Sequence, residues 1–163
     1  MVTWGEFAKE APALAGTGRE LLMQFGVGLA FLATVRRDGA PRLHPVCPVL
    51  SGERLFVLIT PASPKRQDLL RDGRYALQTF PQPKAGSDEF YVAGRARLVE
   101  DEGARSPILR DAKHMADASE IVFELLLERV MHTRWEAVLT PQMRSVQEKW
   151  RAPGPETPIS RRS

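Results

Sequence analysis

The sequence predicts a mainly β protein, an antiparallel β-barrel of six strands with helices at both ends and between the strands. Six stretches carry the apolar or alternating pattern of β-strands. Tight turns such as Asp38-Gly39 and Ser51-Gly52-Glu53 join neighbouring stretches, where a parallel sheet would need regular crossover helices. The size agrees with this fold class, because 163 residues with 43% hydrophobic and 26% charged residues suit one globular domain.

The first segment, residues 3–25, is predicted to be helical. Thr3 precedes Glu6 by three residues, which is the spacing of a capping box at a helix start. Pro12 and the Gly16-Thr17-Gly18 run interrupt the pattern, so we expect two short helices and not one long helix.

Five strands follow from the pattern alone. The second strand contains three prolines, which cannot donate to a strand ladder, so we expect it to be an edge or an irregular strand. Gly94 lies inside the fifth strand, where a bulge or a close backbone approach is expected. Residues 103–118 are predicted to form an amphipathic helix. The strand ranges are 29–35, 41–50, 55–60, 74–80 and 89–99.

The sixth β segment, residues 121–135, is ambiguous. Its apolar residues fit a helical period and also a period of two, and the count taken alone slightly favours a helix. After it, residues 141–150 are predicted to form a closing helix. The domain therefore spans 1–150 with its barrel at 29–139, and the tail at 151–163 is predicted to be disordered.

Composition and charge restrict the classes of protein that the chain can belong to. Of the formal net charge of +3, the tail from Arg151 onward contributes +2, so the surplus lies in the tail and not on a basic stripe of the folded part, and nucleic-acid binding is a minor hypothesis. No apolar run is long enough for a membrane span and no secretory leader is recognised, so a cytoplasmic protein is expected. The single cysteine, Cys47, excludes an internal disulfide and a multi-cysteine zinc site.

The sequence contains no catalytic motif built from side chains. It has no G-x-S-x-G elbow, no H-E-x-x-H, no P-loop and no acidic set at metal-ligand spacing. No metal site is predicted, and catalytic residues stay unassigned. If the protein is an enzyme, a bound cofactor is expected to carry the chemistry.

The turn after the third strand is the most informative local feature. Thr60 and Ser63 supply hydroxyls, and Lys65 and Arg66 supply positive charge at the start of a short helix. Free backbone N–H groups and the helix dipole favour an anion at such a position, so a phosphate site is predicted. The alternative interpretation is a capped, solvated helix start on the surface.

Several motifs in order resemble the pyridoxamine 5'-phosphate oxidase-like, FMN-binding split-barrel superfamily. They are D-G-x-P-R after the first strand, H-P-V in the second, the Ser-x-Lys turn, and V-x-G-x-A in the fifth strand, covering residues 29–101. The segments FELLLERVMHTRW and EKWRAP resemble one branch of the same superfamily. The resemblance implies a six-stranded antiparallel split β-barrel with flanking helices, in which residues 121–135 form the last strand.

The resemblance also implies a homodimer that binds FMN at the subunit interface and acts on a small-molecule substrate as an oxidoreductase. Lys65, with Ser63 and Thr60, would hold the phosphate, and the partner's ring would lie near the last strand. The implied cofactor-binding residues are Arg42, His44, Val46, Cys47, Pro48, Thr60, Ser63, Lys65, Arg66, Gln78 and Trp135.

Two alternatives remain open. The deazaflavin coenzyme F-420 would need a more basic groove, to which Arg66, Arg71 and Arg74 could contribute. A non-catalytic flavin or haem carrier would use His44 or His132 as the haem ligand. Pyridoxamine phosphate oxidation itself is not predicted, because Pro64 stands where the oxidase has a basic residue and the C-terminal arginine-histidine motif is missing.

Overall fold

The computed structural model describes residues 1–112 and 117–154. Its helices are α1 (Trp4–Glu10), α2 (Pro12–Leu22), α3 (Pro64–Arg71) and α4 (Glu102–Asp111). Its strands are β1 (Ala30–Val35), β2 (Pro41–Val46), β3 (Pro48–Ser51), β4 (Arg54–Ile59), β5 (Arg74–Thr79), β6 (Glu89–Leu98), β7 (Ile121–Glu136) and β8 (Arg144–Arg151). None of the helices described here is long and apolar enough to cross a membrane.

The strands form one curled antiparallel sheet, in the order β2-β1-β5-β6-β7-β4-β3, with β8 added to β7. The strands β2 and β3 lie at opposite ends of this order, yet only Cys47 separates them along the chain. The sheet must therefore curl until its two ends meet, which produces a split barrel. The predicted mainly β fold class is confirmed.

The predicted second strand divides at Cys47, so the described residues contain more strands than the six expected. The carbonyl oxygen of Pro48 would lie 1.8 Å from a Cβ atom at Gly28, so only glycine allows this close backbone approach. Pro41 and Pro45 lie on β2, which has a single neighbour in the sheet, as proline in a strand requires.

The N-terminal helices close one end of the barrel. The predicted capping box is present, since the Glu6 N–H donates to Thr3 Oγ1 at 3.3 Å and the Thr3 N–H donates to Glu6 Oε2 at 2.6 Å. Trp4 of α1 is buried and its ring lies 5.5 Å from Phe7 and 6.1 Å from Phe90. These contacts fix α1 against the inner face of β6.

The ambiguous segment at 121–135 is a strand, as the resemblance implied. β7 pairs with β6 along ten positions, and its first residues also pair with β4. The register shifts between Ala93 and Gly94, which is the predicted bulge. A Cβ atom at Gly94 would lie 2.0 Å from the Leu126 carbonyl oxygen, so the bulge requires glycine.

The closing helix predicted at 141–150 is wrong, because these residues belong largely to β8. β7 extends beyond the end of β4, and β8 pairs with its second half, from Arg129 to Glu136, which β4 does not reach. The N–H and C=O groups of that half thereby gain partners, which outweighs the local helical pattern. Trp150 packs on Phe7 at a ring distance of 4.9 Å.

Two other expectations reach beyond the described residues. The helix predicted at 103–118 corresponds to α4, and residues 113–116 of that range lie outside the part of the chain that the structure describes. Of the tail predicted to be disordered, Arg151 belongs to β8, and residues 155–163 lie outside the described part.

Candidate functional site

A cleft of about 210 Å³ opens beside the turn that joins β4 to α3. We call it the Lys65 cleft. The end of β2, the start of β3 and the end of β4 form its walls. Four residues that the sequence analysis assigned to a cofactor line it together: Val46, Cys47, Thr60 and Lys65.

The turn leaves hydrogen-bonding groups open toward this region. The Thr60 carbonyl oxygen accepts from the Ser63 N–H at 2.9 Å, and the Ser63 carbonyl oxygen accepts from the Arg66 N–H at 3.0 Å. Ser63 is the N-cap residue of α3, but its hydroxyl forms no capping hydrogen bond. Pro64 occupies the first helical position, where a missing N–H is tolerated. The Ser63 hydroxyl is therefore available to an anion.

Lys65 is a half-buried cation that forms no ion pair with any carboxylate described here. Burial, followed by the positive charge of Arg42, lowers the pKa of the Lys65 ammonium. Both causes penalise the charged form, so an anion in the cleft would relieve them.

Arg42 lies near Lys65 and is held by a buried carboxylate on α3. Its Nε donates to Asp68 Oδ2 at 2.7 Å, and the Thr34 hydroxyl donates to the same oxygen at 2.9 Å. Burial alone would raise the pKa of Asp68, but the hydrogen bonds from Arg42 and Thr34 outweigh it and lower that pKa. Asp68 therefore stays ionised and ties β2 to α3, which fixes the position of Arg42.

The remaining residues of this region have different surroundings. The side chain of His44 is exposed on β2, and Pro48 is buried. Cys47 and Pro48 also line a smaller cavity on the other side of the β2–β3 bend. The Arg66 Nε atom is buried and has no hydrogen-bond partner among the described residues, so it is an open donor next to the turn.

Gln78 and Trp135 are brought together at a separate place, around Glu89. Gln78 Nε2 donates to Glu89 Oε2 at 3.3 Å, and Trp135 Nε1 donates to Glu89 Oε1 at 3.4 Å. Pro45, at the edge of the Lys65 cleft, and Gln78 both pair with Phe31 on β1. Two strand spacings, about 10 Å, therefore separate them. Within one chain, neither Gln78 nor Trp135 lines the Lys65 cleft.

Glu120 is a residue of the cleft that sequence reasoning missed. Its carboxylate lines the cleft with Lys65, and its Oε2 atom is buried without a hydrogen-bond partner in residues 1–112 or 117–154. Burial and the nearby charge of Asp117 raise the pKa of Glu120. The pKa of the Cys47 thiol is also raised, first by burial and then by the negative charge of Glu120. No local pattern marks Glu120, which lies in a loop just before β7.

The two candidate haem ligands differ in availability. His132 is half-buried, and its Nε2 lies 2.9 Å from Asp88 Oδ2. His44 has no hydrogen bond with any described residue, and its ring is exposed. A ligand that needs a free imidazole nitrogen would therefore meet His44 more readily than His132.

A comparison with protein families finds one match. The family model described as pyridoxamine 5'-phosphate oxidase matches residues 20–142, which include the Lys65 cleft, β7 and Trp135. A search of curated proteins finds no match for the chain.

Solved structures with the same fold are similar to this chain at low sequence identity. A haem-binding protein from Mycobacterium smegmatis has a TM-score of 0.57 and 18% identity, and the match covers 79% of this chain and 56% of that one. This chain thus spans just over half the length of that protein. The haem storage protein HutZ from Vibrio cholerae has a TM-score of 0.53 and 19% identity, with 71% and 90% of the two chains covered.

A third structure comes from Listeria innocua and is proposed to be a pyridoxamine 5'-phosphate oxidase. Its TM-score is 0.54 at 22% identity, and the match covers 76% of this chain and 96% of that one. At such identities, the three likenesses show the fold that the proteins share.

Proposed function

The chain belongs to the pyridoxamine 5'-phosphate oxidase family, and from this premise we propose that it is an FMN-binding oxidoreductase whose Lys65 cleft holds the flavin phosphate. The observation that carries the proposal is the half-buried Lys65 ammonium, which lies near Arg42 and has no carboxylate partner in the described chain. Lys65 lines the cleft, and the positive charge of Arg42 acts on it from nearby, so the region favours an anion with more than one negative charge, such as a phosphate.

The residues at the turn fit the phosphate end of FMN. Lys65 would supply a point charge, the hydroxyls of Thr60 and Ser63 would donate hydrogen bonds, and Arg66 Nε is an open donor nearby. When bound, the flavin supplies the redox chemistry. The protein's own part is to bind and orient it, and the irregular backbone at Cys47 leaves polar groups outside the ladder for this purpose.

The cleft in one chain accommodates only part of such a cofactor. Ligand pockets usually have volumes of roughly 300–1,000 Å³, whereas the Lys65 cleft has about 210 Å³. This difference supports the second part of the proposal, that a second copy of the chain completes the site. Gln78 and Trp135, which lie outside the cleft of their own chain, are then available to the partner's cofactor.

The outer face of β1, β2 and β5 is the surface that we assign to this second copy. Leu43 on β2 is 62% exposed, and its cross-strand partner is Ala33, which in turn pairs with Ala76. On the adjoining row, the Phe31 ring stacks on Phe80 with centroids 4.0 Å apart. A surface of apolar and small side chains is typical of an interface between subunits.

A paired titration tests the phosphate assignment. FMN and riboflavin differ by the phosphate alone, so wild-type protein should bind FMN more tightly. Lys65→Ala should weaken FMN binding by about tenfold or more, because one charge-assisted contact is lost, and should leave riboflavin binding unchanged. Lys84→Ala, which removes an exposed lysine of the loop between β5 and β6, is the matched control.

Equal FMN affinity for Lys65→Ala and wild type would show that the phosphate lies elsewhere. Circular dichroism and the melting temperature of both variants establish that the fold is intact. If neither FMN nor riboflavin binds the wild-type protein, the flavin proposal is wrong.

Haem is the second candidate, because two of the three similar structures are described as haem proteins. His44 is the ligand that the geometry favours, since its ring is exposed whereas His132 bonds to Asp88. In this case, haem added to the protein should give a bound-haem spectrum that His44→Ala abolishes and His132→Ala retains. An unchanged spectrum with His44→Ala would exclude this ligand.

The basic groove that coenzyme F-420 would need finds less support. Arg74 is bound to Asp72 through Nε at 2.6 Å. Arg71 donates to the Val35 carbonyl oxygen and lies 3.4 Å from Asp68. Among the three arginines that the sequence analysis suggested, these two are engaged within the chain and only Arg66 has an open donor. Titration with the deazaflavin in place of FMN separates the two cofactors.

A further inference from the structure

The outer face of the sheet continues from the surface on β1, β2 and β5 that we assign to the second copy, and it carries a second cleft at its other end. This cleft shares no lining residue with the Lys65 cleft. Its volume is about 470 Å³, and it lies where β6, β7 and β8 run side by side. We call it the β8 cleft. Tyr91, Met131 and Lys149 are successive cross-strand partners, so their side chains share one face. Arg129 and Arg151, which are partners on a neighbouring row, also line it.

Three cations surround the β8 cleft, and none of them has a carboxylate partner within the described ranges. Arg129, Lys149 and Arg151 are all exposed. Arg129 and Arg151 lie directly opposite each other, an arrangement that destabilises a strand pair because like charges repel.

The other arginines on the same two strands behave differently. Arg134 and Arg144 both form ion pairs with Glu136, at 2.8 and 2.6 Å. Glu89, the carboxylate on the row next to Tyr91, is bonded to Gln78 and Trp135. Arg129 and Arg151 therefore face each other with no ion-paired carboxylate among the described residues to offset their repulsion.

The floor of the β8 cleft is largely apolar. Tyr91 and Met131 are half-buried and adjacent. The bulge beside Ala93 lies next to Arg129 on the paired strand, and bulges commonly re-aim side chains beside binding sites. Tyr91 and Met131 offer an aromatic ring and a thioether to an aromatic ligand, and the cations along the rim favour acidic groups at the edge of that ligand.

We propose that the β8 cleft binds a small molecule with an aromatic body and at least two acidic groups. The body packs on Tyr91 and Met131, and the acidic groups meet Arg129, Arg151 and Lys149. Arginine favours this role, because its planar guanidinium can bind a carboxylate, phosphate or sulfonate with two parallel hydrogen bonds. The inference does not rest on flavin binding at the Lys65 cleft.

Titration of the full chain with naphthalene-1,5-disulfonate, observed through the ¹³C-methyl signal of Met131, tests the proposal. Met131→Leu assigns the signal. The probe should shift this signal, and Arg129→Gln and Arg151→Gln should each weaken its binding by about three- to tenfold, because each removes one charge-assisted contact at an exposed site. Arg19→Gln, which removes an exposed charge on α2, should bind as the wild type does.

Several results would overturn the proposal. One is an unshifted Met131 signal at saturating probe, and another is equal binding by wild type and both arginine variants. If 1,5-dihydroxynaphthalene binds as tightly as the disulfonate, the cleft does not select acidic ligands. If Arg129→Gln instead changes the mass of the protein in solution while the probe leaves Met131 unshifted, the cations contact a second copy.

Discussion

At the scale of single residues, Lys65 and Glu120 oppose each other in one cleft. Lys65 attracts an anion, and an ionised Glu120 repels it. Because burial and Asp117 raise the pKa of Glu120, this carboxyl group takes up a proton before an ordinary glutamate does as the pH falls. Protonation of Glu120 therefore makes the net charge of the cleft more positive, which favours an anion whose own charge does not change over the same pH range.

Glu120→Gln should strengthen FMN binding by about three- to tenfold near neutral pH, since it removes a nearby negative charge. The difference in affinity between this variant and the wild type should shrink on acidification, as Glu120 of the wild type takes up a proton. The measurement is the FMN dissociation constant as a function of pH. Glu100→Gln, an exposed site on the same domain, is the control. Identical pH profiles for Glu120→Gln and wild type would contradict this role.

Glu124 is a buried carboxylate whose role is structural. Arg54 Nε donates to Glu124 Oε1 at 2.5 Å, and Arg97 donates to Oε2. Burial alone would raise the pKa of Glu124, but these hydrogen bonds outweigh it and hold the pKa below its ordinary value. The stabilisation is therefore present above the pKa of the unfolded chain and is lost as the pH falls through the lower folded-state pKa.

Glu124→Gln should lower the free energy of unfolding by about 3 kcal/mol at neutral pH, the lower end for a buried ion pair because both arginines are partly exposed. Urea unfolding at several pH values measures it. The difference from wild type should shrink in the acidic range, as the wild-type carboxylate becomes protonated. A difference that is constant down to the acid unfolding of the protein would contradict the ion-pair explanation.

The residues of the turn between β4 and α3 can be predicted from the sequence because they are close together along the chain. Thr60, Ser63 and Lys65 lie within six positions, and a strand followed by a helix start brings them to one place. Glu89 and Glu120 carry no such local signal, because only tertiary packing gives each of them its surroundings. Glu89 meets Trp135 from 46 positions away along the chain.

At the scale of elements, the bulge between β6 and β7 is the feature on which the barrel depends. Gly94→Ala should cost about 2–3 kcal/mol of stability, because its Cβ atom would meet backbone that cannot give way. Gly16→Ala in α2 is the matched control. Its Cβ atom would meet nothing within 4 Å, so it should stabilise the helix by about 0.5–1 kcal/mol.

Urea unfolding of the two glycine variants, measured side by side, provides the comparison. Equal effects of Gly94→Ala and Gly16→Ala would mean that the strand pair tolerates a side chain at the bulge.

The local hydrophobic pattern predicts the elements that have strong turn signals well, and it predicts β7 and β8 poorly. β1, β4 and β5 lie between glycine or proline turns and were placed within a few residues. β7 needed the resemblance, because its apolar residues fit both periods. The local sequence of β8 predicts a helix. Its pairing with the second half of β7 is a long-range effect, which a local pattern does not predict.

For the molecule as a whole, the proposed flavin site requires two copies of the chain. Leu43→Glu should convert the proposed dimer into a monomer and weaken FMN binding by about tenfold or more, because a charge would be buried in the apolar face. Sedimentation equilibrium measures the mass. Val146→Glu, which places the same charge at an exposed valine of β8, is the control. A Leu43→Glu protein that keeps the mass and FMN affinity of wild type would place the subunit contact elsewhere.

Native mass spectrometry of the purified protein tests the central proposal most directly, because it weighs chains and cofactor together. With a chain of 18.2 kDa, the account predicts a species of two chains with two FMN molecules, and denaturation should release FMN. A single chain without flavin, or a species that carries haem, would contradict it.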